Sequence, residues 1–360
     1  MSGSEWTRRW GAAFSGGGRY QTRLVSAAVA TAVGMALAFA FTNGLHDAAN
    51  AIATLVATRA ARPGPAIVLA ALGNVIGPLI LGKAVADTIA GIVIVPNDEM
   101  VFVLGAALTG AVAWNAITWW RALPSSSGHA LLGGLVGAAL AEGGTGAVNW
   151  GGFDGIKPVG VLGVMGVLAL APLVGFVAGL VVNRAARRVA RRATTRVRGA
   201  VRAGQWTMSG GLALTHGAND AQKSIGIVAA LLVAAGETAH LASPLWAELA
   251  CGAALTAGTM LGGWPIIRTI GRRIVRLRPL DALSSQTGSS GVLLGASLIG
   301  APVSTTQVVT SSVVGVAGGR RRWRHVHWPL VRTLALAWLV TIPAAAAIAV
   351  VALLPWRWRS

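Results

Sequence analysis

The chain has 360 residues, 54% of them hydrophobic and only 11% charged, with 48 glycines and a formal net charge of +19. Soluble domains carry about a quarter charged residues, so this composition excludes one, and runs of about 20 apolar residues, the length that crosses a bilayer as a helix, recur along the chain. The positive charge is not a nucleic-acid footprint, because the arginines crowd into short connectors at 184–202, 268–278 and 320–324, as the cytoplasmic flanks of membrane spans do.

In chain order, residues 1–23 form a basic tail containing Arg8, Arg9, Arg19 and Arg23. That tail, the apolar run 24–37 and the small-residue pattern Ala38-Phe39-Ala40 share features with a secretory signal. Cleavage there would sever the helix leading into the motif that follows, so the run is taken as the first span. Apolar segments then occupy 27–58, 65–82, 100–120, 124–142, 158–182, 207–235, 245–264, 284–300, 302–317 and 329–355, with 84–95 as an additional helix lying partly in the membrane. The segments are continuous and do not alternate with a period of two, which excludes a β-barrel. The expected fold is all-α: a polytopic membrane protein of ten to twelve transmembrane or re-entrant helices. Cys251, alone, can form no intrachain disulfide.

Polar residues interrupt these segments in two places, and both interruptions occur twice. GLHDAANAIA at 44–53 aligns with GANDAQKSIG at 217–226, setting Asp47 on Asp220 and Asn50 on Lys223. PSSSGHALLGGLVG at 124–137 aligns with PVSTTQVVTSSVVG at 302–315, setting Ser126 on Ser304, Ser127 on Thr305 and His129 on Gln307. Two motifs repeated in the same order imply two halves. Each half holds an odd number of passages, so the second enters the membrane from the opposite side, as inverted repeats of secondary transporters do. The chain accordingly divides into the tail 1–23, a first inverted repeat at 24–182, an Arg-rich cytoplasmic linker at 183–205, a second inverted repeat at 206–355 and a C-terminal tail at 356–360. With both termini outside, Arg59, Arg62, Arg121 and the arginine clusters fall inside, while Asp87, Asp98, Glu99, Glu142, Asp154 and Glu237 fall outside. The arginines of the N-terminal tail run against this orientation.

A carboxylate in the bilayer costs roughly 2.5–3.5 kcal/mol on insertion scales, so two at matching positions point to function. Asp47 and Asp220 are read as holding a coupling cation, or a proton shared with a bound anion. Gly44 and Gly217 just before them would let the helices unwind there, exposing N–H groups to an anion and carbonyls to a cation. Asn43, Asn50 and Asn219 add uncharged donors and acceptors, and Lys223 a positive charge for Asp220 or an anion. The proline-led runs Ser125, Ser126, Ser127 and Ser304, Thr305, Thr306 read as helix N-termini with added hydroxyl donors, suited to a phosphate-like anion. Gly133, Gly134, Ser311 and Ser312 read as helix-packing positions.

At these residues the chain resembles the inorganic phosphate transporter (Pit) family, whose members carry NGxxDxAN, PSSSSH, HGANDAQK and PVSTTH. The matching stretches are Asn43–Asn50, Pro124–His129, His216–Lys223 and Pro302–Gln307, within a likeness running from about residue 30 to 350. The resemblance implies two inverted repeats, a homodimer, inorganic phosphate as substrate, free or metal-complexed, and a coupling cation beside it. Carried over by position, it assigns Asp47, Asn50, Asp220, Ser126, Ser127, Thr305 and Thr306 to phosphate and ion contacts, then Asn219 and Lys223. Asn43 and His46 join Asp47, Asn50, Asn219 and Asp220 as coupling-ion candidates. His46 stands where sodium-coupled relatives carry Asn, and because His titrates near neutrality a proton is preferred over sodium. Gly128 replaces a usual Ser, and Gln307 a usual His.

The expectation is a secondary transporter importing phosphate across the plasma membrane by alternating access, with the lipid bilayer as its other partner, no nucleic acid and no cofactor beyond the cation. A sulfate permease of the same family is the nearest alternative. An intramembrane serine hydrolase using Ser126 or Ser304 with His129 lacks a base in the second half, and a passive channel is the remaining rival.

Overall fold

The computed structural model describes residues 18–123, 125–262, 274–320 and 323–357. Arg8, Arg9, Pro124, Arg268, Arg272 and Arg273 lie outside the described residues, as do Arg321 and Arg322. Eleven α-helices occur among the described residues: α1 (Gly18–Ala57), α2 (Pro63–Ile80), α3 (Ala84–Ala90), α4 (Asn97–Trp120), α5 (Ser127–Gly143), α6 (Gly160–Val189), α7 (Arg198–Ala234), α8 (Leu245–Leu261), α9 (Pro279–Leu298), α10 (Thr305–Gly319) and α11 (Trp328–Arg357). Every apolar segment of the sequence contains one of them. A two-stranded antiparallel hairpin, β1 (Gly152–Asp154) and β2 (Lys157–Val159), is the one departure from an all-α chain among the described residues. The linker expected at 183–205 is mostly helix, because α6 continues to Val189 and α7 starts at Arg198; arginine is a good helix former, and the α-helix is interrupted only over 190–197.

Six helices, α1, α2, α4, α5, α6 and α11, are long and apolar enough to cross a membrane, and α8 is apolar but shorter. The chain is a membrane protein. Helices α7, α9 and α10 are too polar to qualify, and their polar residues are buried: His216, Asn219, Asp220, Gln222 and Lys223 on α7, Asp281, Ser284, Ser285, Gln286 and Ser289 on α9, Thr305, Thr306 and Gln307 on α10. Where a helix face is enclosed by other helices it does not meet lipid, so the composition of that face is freed from the apolar requirement.

Two apolar cores lie on either side of a polar layer. One contains Ala32, Ala36 and Phe39 of α1, Ile225 to Leu231 of α7, and residues of α3, α4, α5, α8 and α11. The other contains Ala51 to Leu55 of α1, Leu212 and Ala213 of α7, and residues of α2, α9 and α10. The intervening stretches, 43–50 and 215–224, are the polar motifs of the sequence.

Glycines set how closely the helices approach. A Cβ on Gly44 would stand 2.1 Å from the Leu255 carbonyl oxygen of α8, and one on Gly217 would stand 2.5 Å from the Asn74 Cα of α2. This corrects the expectation of unwinding at those two glycines: α1 and α7 run through them as continuous helices, and the glycines serve close packing. Breaks occur instead between α2 and α3, and at the tips joining α4 to α5 and α9 to α10. At the first break Gln222 donates to the Gly82 carbonyl (2.6 Å) and accepts from the Val85 N–H (2.9 Å), satisfying groups that the interrupted helix leaves open.

α6 and α11 each pack on a helical hairpin distant in sequence. α6 lies against α9 and α10, where a Cβ on Gly315 would stand 2.0 Å from the Phe176 carbonyl oxygen. α11 lies against α4 and α5, where a Cβ on Gly133 would stand 2.3 Å from the Ile342 carbonyl oxygen. Ion pairs pin the bases of both hairpins: Glu142 at the end of α5 holds Arg357 of α11, and the fully buried Asp281 at the start of α9 holds Arg187 of α6 (2.8 Å) and Arg320 (2.6 Å). Asp281 is thus an acidic residue neutralised among the arginine clusters.

Candidate functional site

The two hairpin tips meet between α1 and α7. At each tip a hydroxyl closes the start of a helix: Ser126 Oγ accepts from the His129 N–H and Ser304 Oγ from the Gln307 N–H, both at 3.3 Å. These caps satisfy one backbone donor each, and the first-turn N–H groups before them have no partner within their helix. Ser126 Oγ also lies 2.6 Å from His129 Nδ1, a contact within the cap.

Asp47 joins the tips. Ser127 Oγ lies 3.1 Å from Asp47 Oδ2 and 2.6 Å from Asn43 Oδ1, so its one proton serves either acceptor. From the other tip the Thr306 hydroxyl donates to Asp47 Oδ1. Asn50 Nδ2 reaches Asp47 Oδ1 (2.6 Å) and the hydroxyls of Thr305 and Thr306 (3.1 Å each). That fixes the amide, leaving Asn50 Oδ1 buried with no partner among the described residues; the same holds for the Nδ2 of Asn43. Buried polar atoms are normally satisfied, so these two, beside Asp47, are open to a further partner.

Around Asp220 the partners are basic. Lys223, 1% exposed, pairs with Asp220 Oδ1 and donates to the Val303 carbonyl at the second tip (3.0 Å). Thr305 Oγ1 donates to Asp220 Oδ2 (3.1 Å). His216 Nε2 lies 3.1 Å from the same oxygen, near enough for an ion pair though not aligned as a hydrogen bond. Asn219 Nδ2 donates to the Ala301 carbonyl (3.0 Å), holding the α9–α10 tip.

Asp47, Asn50, Asn43, Ser127, Asp220, Lys223, Thr305 and Thr306 therefore form one buried cluster. Ser126 and Ser304 act as caps beside it. Ser125 Oγ lies 2.8 Å from Thr118 Oγ1 of α4. His46 is not brought in: its Nε2 donates to the Asn115 carbonyl (2.7 Å), tying α1 to α4.

His216 was missed as a site residue in the sequence, although it sits one helical turn before Asp220, on the same face. Its Nδ1 lies 2.9 Å from Asn74 Oδ1, and Asn74 Nδ2 donates to Thr259 Oγ1 (2.8 Å); an Asn inside the apolar run of α2 was the available signal. Asp47, His216 and Asp220 place ligand atoms within 4.8 Å of one another. A divalent metal does not suit this trio, because the Lys223 ammonium already occupies Asp220. Oxygens suited to a monovalent cation remain at Asp47 and Asn50.

The family model for a phosphate transporter family matches residues 43–349. A protein of Rhizobium meliloti (strain 1021) named a "probable low-affinity inorganic phosphate transporter" is 40% identical over 321 residues, covering 88% of this chain and 92% of its own. One of the same name from Bacillus subtilis (strain 168) is 38% identical over 323 residues, covering 88% and 93%. A solved structure titled "The sodium-dependent phosphate transporter" shares the fold with a TM-score of 0.81 at 22% identity, over 92% of this chain and 99% of that one.

Proposed function

The chain belongs to the phosphate transporter family, and from that premise we propose that it imports inorganic phosphate, cation-coupled, by alternating access of two inverted repeats. Phosphate lies between the α5 and α10 N-termini, taking hydrogen bonds from their free N–H groups and, once they turn from the aspartates, from the hydroxyls of Ser127, Thr305 and Thr306. The cation, proton or sodium, sits on Asp47 beside Asn50 Oδ1. The observation that carries this reading is Asp47 itself, which accepts from Ser127 at one tip and Thr306 at the other and so links the cation to both walls of the anion site. Reciprocal packing of α6 and α11, with ion pairs at the base of each hairpin, supports inverted repeats that rock against each other.

Proton preference rested on His46, which is engaged with α4; Asp47 takes over its role. The protein works in the plasma membrane as a homodimer with both termini outside. Phosphate travels free, since Lys223 leaves no place for a dication. The sulfate alternative has no support in the relatives, which are named for phosphate. Sulfate also lacks the O–H that monohydrogen phosphate can donate to a carboxylate.

Reconstituted in proteoliposomes, the protein is expected to accumulate labelled phosphate above equilibrium when a proton or sodium gradient is imposed, with excess sulfate leaving uptake unchanged and chelation of divalent cations without effect. Phosphate that merely equilibrates, with neither gradient driving it further, would remove the carrier reading.

A further inference from the structure

The halves of the polar layer share a geometry and differ in charge. By motif order Asn43, Asp47 and Asn50 correspond to His216, Asp220 and Lys223, while Ser127 and Gly128 correspond to Thr305 and Thr306. Each aspartate accepts from the hydroxyl opening its own hairpin, with Ser127 on Asp47 and Thr305 on Asp220, both at 3.1 Å. The difference begins one residue later. Thr306 reaches across to Asp47, but its counterpart Gly128 has no side chain to reach Asp220. Lys223 Nζ occupies that side instead: a Cβ on Gly128 would lie 3.4 Å from it.

Two differences between the halves thus act together. Asn50 with Thr306 surrounds Asp47 with neutral groups, whereas Lys223 with Gly128 places an ammonium on Asp220, and His216 adds a second basic group where the first half has Asn43. Among the described residues no ion pair is made by Asp47, although His216 lies within 4.8 Å. A buried carboxylate requires compensation. For Asp220 it is built into the chain; for Asp47 it must come from solution, and the unpartnered Asn50 Oδ1 beside it is a ready ligand.

We propose that Lys223 is a tethered cation standing where a second coupling ion would sit, so that each phosphate is carried with one coupling cation, at Asp47, and not with one at each aspartate. It deepens the proposed transport function and rests on its two inverted repeats.

The test is the coupling stoichiometry of the full-length protein in proteoliposomes, read from the cation gradient at which net flux of labelled phosphate reverses. Wild type is expected to carry one cation per phosphate. Lys223→Asn combined with Gly128→Thr rebuilds the Asn50–Thr306 arrangement around Asp220 and is expected to carry one more. Below saturation, a tenfold drop in cation concentration should slow wild-type uptake about tenfold and the double variant about 100-fold, by mass action. A double variant that transports with unchanged stoichiometry and cation dependence overturns the proposal. If it does not transport, direct counting of sodium or protons bound by wild type at saturating phosphate decides: one per chain supports it and two refute it. Wild type that accumulates no phosphate would be a failure of the transport reading itself, visible before any variant is made.

Discussion

Asp47→Asn is expected to reduce gradient-driven phosphate accumulation by about 100-fold or more while the protein still inserts and folds. Two tip hydroxyls and the Asn50 amide donate to this carboxylate, and a hydrogen bond to a charged group is worth about 1.5–3 kcal/mol. Losing the charge also removes the cation that it holds, so the deficit should appear as lost coupling. Stability should respond differently. Asp47 has no ion pair among the described residues, so asparagine relieves an uncompensated buried charge, and the thermal unfolding temperature measured without the coupling ion should stay the same or rise. Normal accumulation by Asp47→Asn would remove the assignment.

Asp220 should behave in the opposite sense. Breaking a buried ion pair by removing one partner costs about 3–5 kcal/mol, because the other charge is left unpaired. Both Asp220→Asn and Lys223→Met are therefore expected to destabilise the purified protein by about that amount in denaturant or thermal unfolding, and to stop uptake. Combining them should recover most of the lost stability, since neither charge then remains. Additive losses in the combined variant would mean that the pair is not coupled. Methionine offers no ligand atom to replace the ammonium, whereas Asn with a neighbouring Thr does; this is why the two kinds of Lys223 variant are expected to differ.

The family was legible in the sequence because both motifs recur in order and a charge inside an apolar run is conspicuous. Ten apolar segments were enough to locate the long helices. What the sequence did not reveal was which glycines open a helix and which only pack it. Gly44 and Gly217 looked like points of unwinding, yet in helices a glycine equally permits close approach, and only the partners α8 and α2 decide between the two. The break after α2 was legible as the gap between the apolar segments 65–82 and 84–95, but the group that stabilises it, Gln222, lies 140 residues from Gly82 and was not. His46 and His216 show the same limit. Each neighbours an aspartate motif, but rotation about the helix axis turns His46 toward Asn115 and His216 toward Asp220. The asymmetry between Asn50 and Lys223 was visible as letters; its meaning depended on seeing Gly128 beside the ammonium.

Binding of the oxyanion between two opposed hairpin tips, with a cation on Asp47, underlies all of these expectations. A structure of the purified protein determined with phosphate would examine it directly. Tetrahedral density within hydrogen-bonding distance of Ser127 on one tip and Thr305 or Thr306 on the other is the expected result. Phosphate density outside this polar layer, or contacting one tip alone, would contradict it.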